Sequence, residues 1–288
     1  MGISTKKPKS PFVKFVIHLF NGVVDHDIAS LAATIAFYAF FSLFPLLLLV
    51  IYAGSFLLPH VQTEQVLLKV LQPYFPALSG TREFIQHNLD NLSVQGRNIS
   101  LISAVTLTWS ATSGFIALQQ ALDVIWKSQQ RSFLARRLIS FLMLIILLLL
   151  ALSTAVITSL YPLVQHIPVL QHGILARLSA KLSVISGFSR ILFPLSLFIG
   201  CLVIYRFLPS KKVDWTYLLP GALLTMVSVD VGRALFTWYA SHLSRYHIIY
   251  GTFTVVMLVV LWMYLASIAM LFGAEVSASL FALQEETD

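Results

Sequence analysis

The sequence predicts an all-α protein that sits in a membrane and crosses it six times. Three observations carry that class. Mean hydropathy is +0.84. Charged residues are only 11% of the 288, against about 25% in an ordinary soluble domain. The apolar residues come in long blocks rather than the short alternating runs of a sheet. The longest block, residues 28–58, holds no Asp, Glu, Lys, Arg or His. At about 1.5 Å of rise per residue, that helix exceeds a ~30 Å hydrocarbon core. A soluble core has no use for a charge-free helix of that length.

The N-terminus is read first. Residues 1–10 are short, polar and basic, with Lys6, Lys7 and Lys9. Residues 11–24 set Phe12, Phe15, Val16, Leu19, Phe20 and Val23 against Lys14, His18 and Asn21. That spacing makes one apolar helical face, suited to the membrane interface. Residues 1–27 are therefore an amphipathic segment, cytoplasmic or interfacial. They are not a cleavable leader, because the apolar run that follows is far too long.

The membrane domain is expected over residues 28–281. In the first span, 28–58, Pro45 lacks an N–H and clashes with the preceding turn, so a kink is expected there. Ser42, one turn earlier, is placed to satisfy the freed backbone. Residues 61–97 then alternate apolar and charged faces around Pro73, Pro76 and Gly80, as two short amphipathic helices would. The second span, 99–122, carries no formal charge and is rich in hydroxyls, among them Thr106, Thr108, Ser110, Thr112 and Ser113, beside Trp109. Such side chains let helices approach closely and hydrogen-bond across, or they line a polar cavity. Residues 123–137 form a short basic loop or helix end with Lys127, Arg131, Arg136 and Arg137.

The third span, 138–164, is a nearly pure Leu/Ile run and the most lipid-facing. Residues 165–190 form a second short amphipathic segment. The fourth span, 184–206, works if Arg190 snorkels. A basic turn with Lys211 and Lys212 leads into the fifth span, 215–240, which holds Asp230 and Arg233. The sixth, 248–274, is charge-free until Glu275. Residues 282–288 make an acidic tail.

Six spans place both termini on one side. That side collects Lys6, Lys7, Lys9, Lys14, Lys127, Arg131, Arg136, Arg137, Arg206, Lys211 and Lys212, which is 11 cations. The opposite face collects 7, spread over much longer loops. The positive-inside rule then puts both termini in the cytoplasm and the two long amphipathic segments outside. The net charge of +7 is read as this topology signal and as attraction to anionic membrane lipids, not as a nucleic-acid surface. The single cysteine, Cys201, forms no intrachain disulfide.

Several stretches resemble the YihY/BrkB family of bacterial inner-membrane proteins. They are LAATIAFYAFFSLFPLLLL (Leu31–Leu49), WSATSGFIALQQALDVIW (Trp109–Trp126), LPGALLT (Leu219–Thr225) and the whole of Tyr250–Leu280 with Gly273-Ala274-Glu275. The resemblance covers nearly the full chain. One departure is Asp123, where the family more often has Asn. The resemblance implies six helices in the bacterial cytoplasmic membrane. It also brings a choice of roles: virulence or serum-resistance factor, exporter of lipid precursors, and, from an old misassignment, ribonuclease BN.

The residues argue against the last. The eight histidines lie outside the span cores, with no ligand-spaced carboxylate cluster, and there is no Walker loop, GxSxG or CxxC. No enzyme activity, catalytic residue, cofactor or metal site is expected. Charges in and beside the spans are the better lead. Asp230 and Arg233, three apart, share a helix face and are expected to pair. Glu275 is expected to meet Arg136, Arg137, Lys127 or Arg206 in a polar clamp near Asp123. Ala266, Ala269 or Met270, Gly273 and Ser277 form a close-packing stripe, for a neighbouring helix or for a second copy in a homo-oligomer. The expected function is transport or export of a lipid-like, amphipathic small substrate along a path lined by Ser42, Pro45, Thr106, Trp109, Ser110 and Ser113. The alternative is a non-transporting scaffold or envelope-integrity factor.

Overall fold

The computed structural model describes residues 11–57, 101–165, 188–242 and 252–285. The two amphipathic segments expected outside the bundle lie beyond the described residues, as do the first residues of the second, fourth and sixth expected spans. Every regular element described is a helix: α1 (Pro11–Asp25), α2 (Ile28–Leu57), α3 (Leu101–Ala111), α4 (Ser113–Ile125), α5 (Phe133–Gln165), α6 (Phe188–Phe207), α7 (Trp215–His242) and α8 (Thr252–Glu285). The all-α membrane class holds. Three stretches, 133–154, 215–239 and 256–285, are each long and apolar enough to cross a bilayer, and the bent pair α1–α2 supplies a fourth.

The chain bends by 54° between α1 and α2. The elbow is Asp27, whose φ of 45° lies in the left-handed region. Asp tolerates that region better than most residues because its short carboxylate bonds locally. Here it accepts from the Ser30 N–H at 3.4 Å, at the head of α2. A kink was expected at Pro45; α2 is one continuous helix from Ile28 to Leu57 with Pro45 inside it. Ser42 does not rescue a carbonyl freed by the proline. Its hydroxyl donates to Ala39 at 3.0 Å, one turn the other way.

The second expected span is two helices. α3 ends at Ala111 and α4 begins at Ser113, with Thr112 between them. The Thr112 hydroxyl competes for backbone acceptors, lying 3.2 Å from the Thr108 carbonyl and 3.0 Å from that of Trp109. Such back-bonding is a known cause of helix distortion.

The helices close a circuit. α2 packs on α4, α4 on α5, α5 on α6, α6 on α7, α7 on α8, and α8 returns to α2. α8 is the hub, touching α1 and α4 as well. Fully buried Leu122, Tyr205, Leu208, Leu218 and Leu271 form the core. They sit toward the end of the bundle that carries the α4–α5 and α6–α7 turns. On the other side of the same helices, Phe37, Val105, Leu149, Leu223, Leu235 and Phe253 are exposed, as lipid-facing side chains must be in a protein drawn without its membrane.

α7 and α8 meet through glycines. A Cβ at Gly221 would lie 2.1 Å from the Gly273 carbonyl oxygen, and one at Gly273 would lie 2.0 Å from Thr225 Oγ1. The small-residue stripe of the last span is thus used inside the chain at Gly273 and Ser277. Across this seam the buried Tyr205 hydroxyl donates to the Met270 carbonyl and lies 2.7 Å from Thr225 Oγ1.

Candidate functional site

Polar side chains gather in three places. The first is the end of the bundle where the α1–α2 elbow, the α4–α5 and α6–α7 turns and the last part of α8 converge. A cavity of about 450 Å³ lies here, lined among others by His18, Asp25, His26, Lys127, Lys211 and Glu275. Glu275 is 3% exposed. Its partner is His26, with Nδ1 2.9 Å from Oε2. The arginine partners expected for Glu275 are engaged elsewhere: Arg136 with Gln130, Arg137 with Trp109 and Thr112, Arg206 with the Val213 carbonyl. Lys127, the fourth partner expected, does line this cavity, and its charge acts on Glu275. The His26 contact was not expected, and its cause is geometric. The elbow swings α1 back onto α8 and brings His26 to a carboxylate 249 positions away.

Gly22 makes this approach possible. A Cβ there would lie 1.9 Å from Glu275 Oε1. We expect Gly22→Ala to displace the carboxylate and break the His26 bond. Loss of a charged hydrogen bond outweighs the gain in helix propensity, for a net cost of about 1 kcal/mol. Thermal unfolding in detergent is the measurement. In a Glu275→Ala background the same change should turn neutral or stabilising. Equal effects in both backgrounds would show that Gly22 does not act through Glu275.

Asp123 belongs to a separate cluster at the same end. It is 2% exposed, near the end of α4. It accepts from Ser128 Oγ at 2.8 Å, the Ser210 N–H at 2.7 Å and Ser210 Oγ at 3.1 Å. Arg131 holds the same α6–α7 turn by donating to the Leu208 and Pro209 carbonyls at 3.0 and 2.6 Å. The expected single clamp is therefore two: His26–Glu275, and Asp123 with Arg131 on the turn.

The second place is α7. Arg233 Nη2 and Asp230 Oδ1 pair at 3.3 Å, as their spacing predicts. Both are substantially exposed on the helix, at 33% and 44%. The guanidinium also lies 4.5 Å over the Phe193 ring of α6. The pair thus bridges α7 to α6 and stands apart from the Glu275 cavity.

The third place was legible in part: Trp109 and the hydroxyls of the second expected span were expected to line a path, whereas Arg137 and the α5 wall were not. Between α3 and α5 runs an apolar groove of about 440 Å³. Val105, Leu138 and Phe141 line it, with Thr108, Trp109 and Thr112 along the α3 side. Arg137 stands near one end, one turn in from Leu134, its guanidinium carbon 3.8 Å from the Trp109 ring centroid. Its Nη1 donates to the Trp109 carbonyl and to Thr112 Oγ1, each at 2.8 Å. Its Nε is buried without a hydrogen-bond partner among the described residues. Of the hydroxyls expected to line a path, Thr106 is exposed, Ser110 is half-buried, and Ser113 is turned to the Trp109 carbonyl at 3.3 Å. Gly273 is buried at the α7–α8 seam. Among the described residues no group of three His, Cys, Asp or Glu side chains is placed to hold a metal ion.

Relatives of known name are consistent with this architecture. A ribonuclease-like protein, YfkH of Bacillus subtilis, is 26% identical over 93% of this chain and 95% of its own. A UPF0761 membrane protein of Chromohalobacter salexigens is 28% identical over 88% of this chain. The UPF0761 membrane protein PA0951 of Pseudomonas aeruginosa is 26% identical over 91%. The chain spans about 60% of the length of these two UPF0761 relatives. No solved structure matches it. The family described as virulence factor BrkB matches residues 19–287, nearly the entire chain. This all-helical chain, with its buried polar end and lipid-facing flanks, is an integral membrane protein of the BrkB virulence-factor family.

Proposed function

We propose that the protein is a transporter or exporter of an amphipathic, lipid-like molecule in the bacterial cytoplasmic membrane, with six spans and both termini in the cytoplasm. The observation that carries this is the groove between α3 and α5. It has apolar walls, threonines along one of them and a single arginine near one end. Ligand sites typically combine an apolar surface of several hundred Å³ with a few placed polar groups. A groove on the lipid-facing side admits a substrate laterally from the bilayer. The His26–Glu275 cavity at the polar end supplies titratable groups for coupling. The reading assigns the protein no ribonuclease chemistry.

One observation favours the scaffold alternative. The Ser42, Thr112 and Ser113 hydroxyls are turned to carbonyls of their own helical run. A flux assay separates the two. Reconstituted in liposomes, the wild type is expected to move fluorescent lipid analogues. Arg137→Gln should lower that flux about tenfold, the scale of one charged hydrogen bond. Asp230→Asn, Arg233→Gln and Glu275→Gln test the other polar groups in the same assay. No flux in the wild type, with variants losing only thermal stability, would favour the scaffold.

A further inference from the structure

Arg137 raises an electrostatic question that the bundle does not answer. It lies on α5 four residues past the helix's first residue, Phe133, about 6 Å of helical rise further from the polar end. The side chain is held in the groove by the Trp109 ring, the Trp109 carbonyl and Thr112. None of these is an anion. No carboxylate pairs with Arg137 among the described residues, and its Nε is buried and unsatisfied. A partly buried guanidinium with no counter-charge beside it is a ready partner for an anion. Its planar fork suits a phosphate, which offers several acceptor oxygens.

The rest of the groove says what the phosphate is attached to. From Arg137 the walls continue away from the polar end as Leu138 and Phe141 on α5 and Val105 on α3. Val105, Trp109 and Leu138 are about half or more exposed on the lipid-facing side. A free anion gains nothing from such walls, whereas an acyl chain is matched by them. Trp109 stands where tryptophans favour the boundary between headgroup and chain.

We propose that this groove is a binding site for one anionic phospholipid, its phosphate on Arg137 and one acyl chain along Val105, Leu138 and Phe141. The inference rests on the groove reading given above and names the chemical class it accepts. It does not need transport to be true.

Trp109 is the reporter. The full chain is reconstituted in phosphatidylcholine vesicles containing phosphatidylglycerol, with one lipid class at a time brominated on its chains. Quenching that is lost in Trp109→Phe belongs to Trp109. Brominated phosphatidylglycerol should quench it with about tenfold higher relative affinity than brominated phosphatidylcholine, the scale of one charged hydrogen bond. Arg137→Gln should remove the preference, and Arg137→Lys should keep part of it. Val105→Phe, which fills the groove away from the charge, should weaken quenching by both lipids.

Equal quenching by the two lipids in the wild type overturns the proposal without any variant. So does a preference that survives Arg137→Gln in folded protein, or one abolished by millimolar inorganic phosphate alone. Selective quenching without flux leaves the binding site standing and removes the transport reading. Flux without selectivity does the reverse.

Discussion

Gly221→Ala is expected to destabilise the protein by about 3 kcal/mol, at the upper end for overpacking. An added Cβ would fall 2.1 Å from the Gly273 carbonyl oxygen and 3.0 Å from its carbon. These are backbone atoms in the facing helix, so no rotamer change relieves the overlap and α7 must move off α8. That is the most extensive helix pair in the bundle. Separation also strains the Tyr205–Met270 hydrogen bond and the Thr225 contact beside it. Gly273→Ala meets Thr225 Oγ1, the Gly221 carbonyl and the Tyr205 hydroxyl at once and should behave alike. The apparent Tm should fall by about 6–12 °C for a chain of this size.

Two other helical glycines set the sign of the control. At Gly200 an added Cβ would first meet Leu147 at 3.5 Å, and at Gly232 it would meet Trp262 at 3.9 Å, both ordinary contact distances. Alanine at either should be neutral or stabilising by up to about 1 kcal/mol, because it favours the helix. Thermal unfolding of the four variants in one detergent is the check. Loss at Gly200 and Gly232 equal to that at Gly221 and Gly273 would show that the α7–α8 seam is not the close contact described.

This contrast also shows how much of the molecule was legible in the sequence. The class was plain, because a charge-free run such as residues 28–58 has one physical use. The Asp230–Arg233 pair was plain as well, since spacing on one helix fixes it. The small-residue stripe announced a close packing face, but its partner, Gly221, lies 52 positions earlier, and local pattern says nothing about which helix comes to meet it. The same limit hid His26. It stands just ahead of the first span, and only the left-handed Asp27 elbow brings it to Glu275. Arg137 was counted among loop cations because it directly precedes an apolar run. Its lodging beside Trp109 depends on the break at Thr112, which presents two acceptors to it. One signal for that break was present: consecutive hydroxyls at Thr112 and Ser113, which compete with the helix ladder.

Asp123→Ala is the second large effect expected. The carboxylate is buried and takes three hydrogen bonds, two of them from Ser210 in the α6–α7 turn. Alanine strands the Ser210 N–H and two hydroxyls together, at a cost of about 3 kcal/mol. The Tm should drop by about 6–12 °C. Asp123→Asn should cost less than about 1 kcal/mol. The Asn carbonyl oxygen can accept from the Ser210 N–H and Ser128, while the amide donates to Ser210 Oγ. That outcome would mean that the fold asks for a side-chain acceptor of this length and not for a charge. Arg131 anchors the adjoining Leu208 and Pro209 carbonyls of the same turn. Once Asp123→Ala has released the turn, Arg131→Ala should cost less than it does alone, a coupling that a double-mutant cycle reads directly. Additive losses would mean that the two residues hold the turn independently. If Asn were as damaging as Ala, the negative charge itself would be required. Asp123 would then belong with Glu275 among the charged groups of the polar end, and not among the residues that merely hold the α6–α7 turn in place.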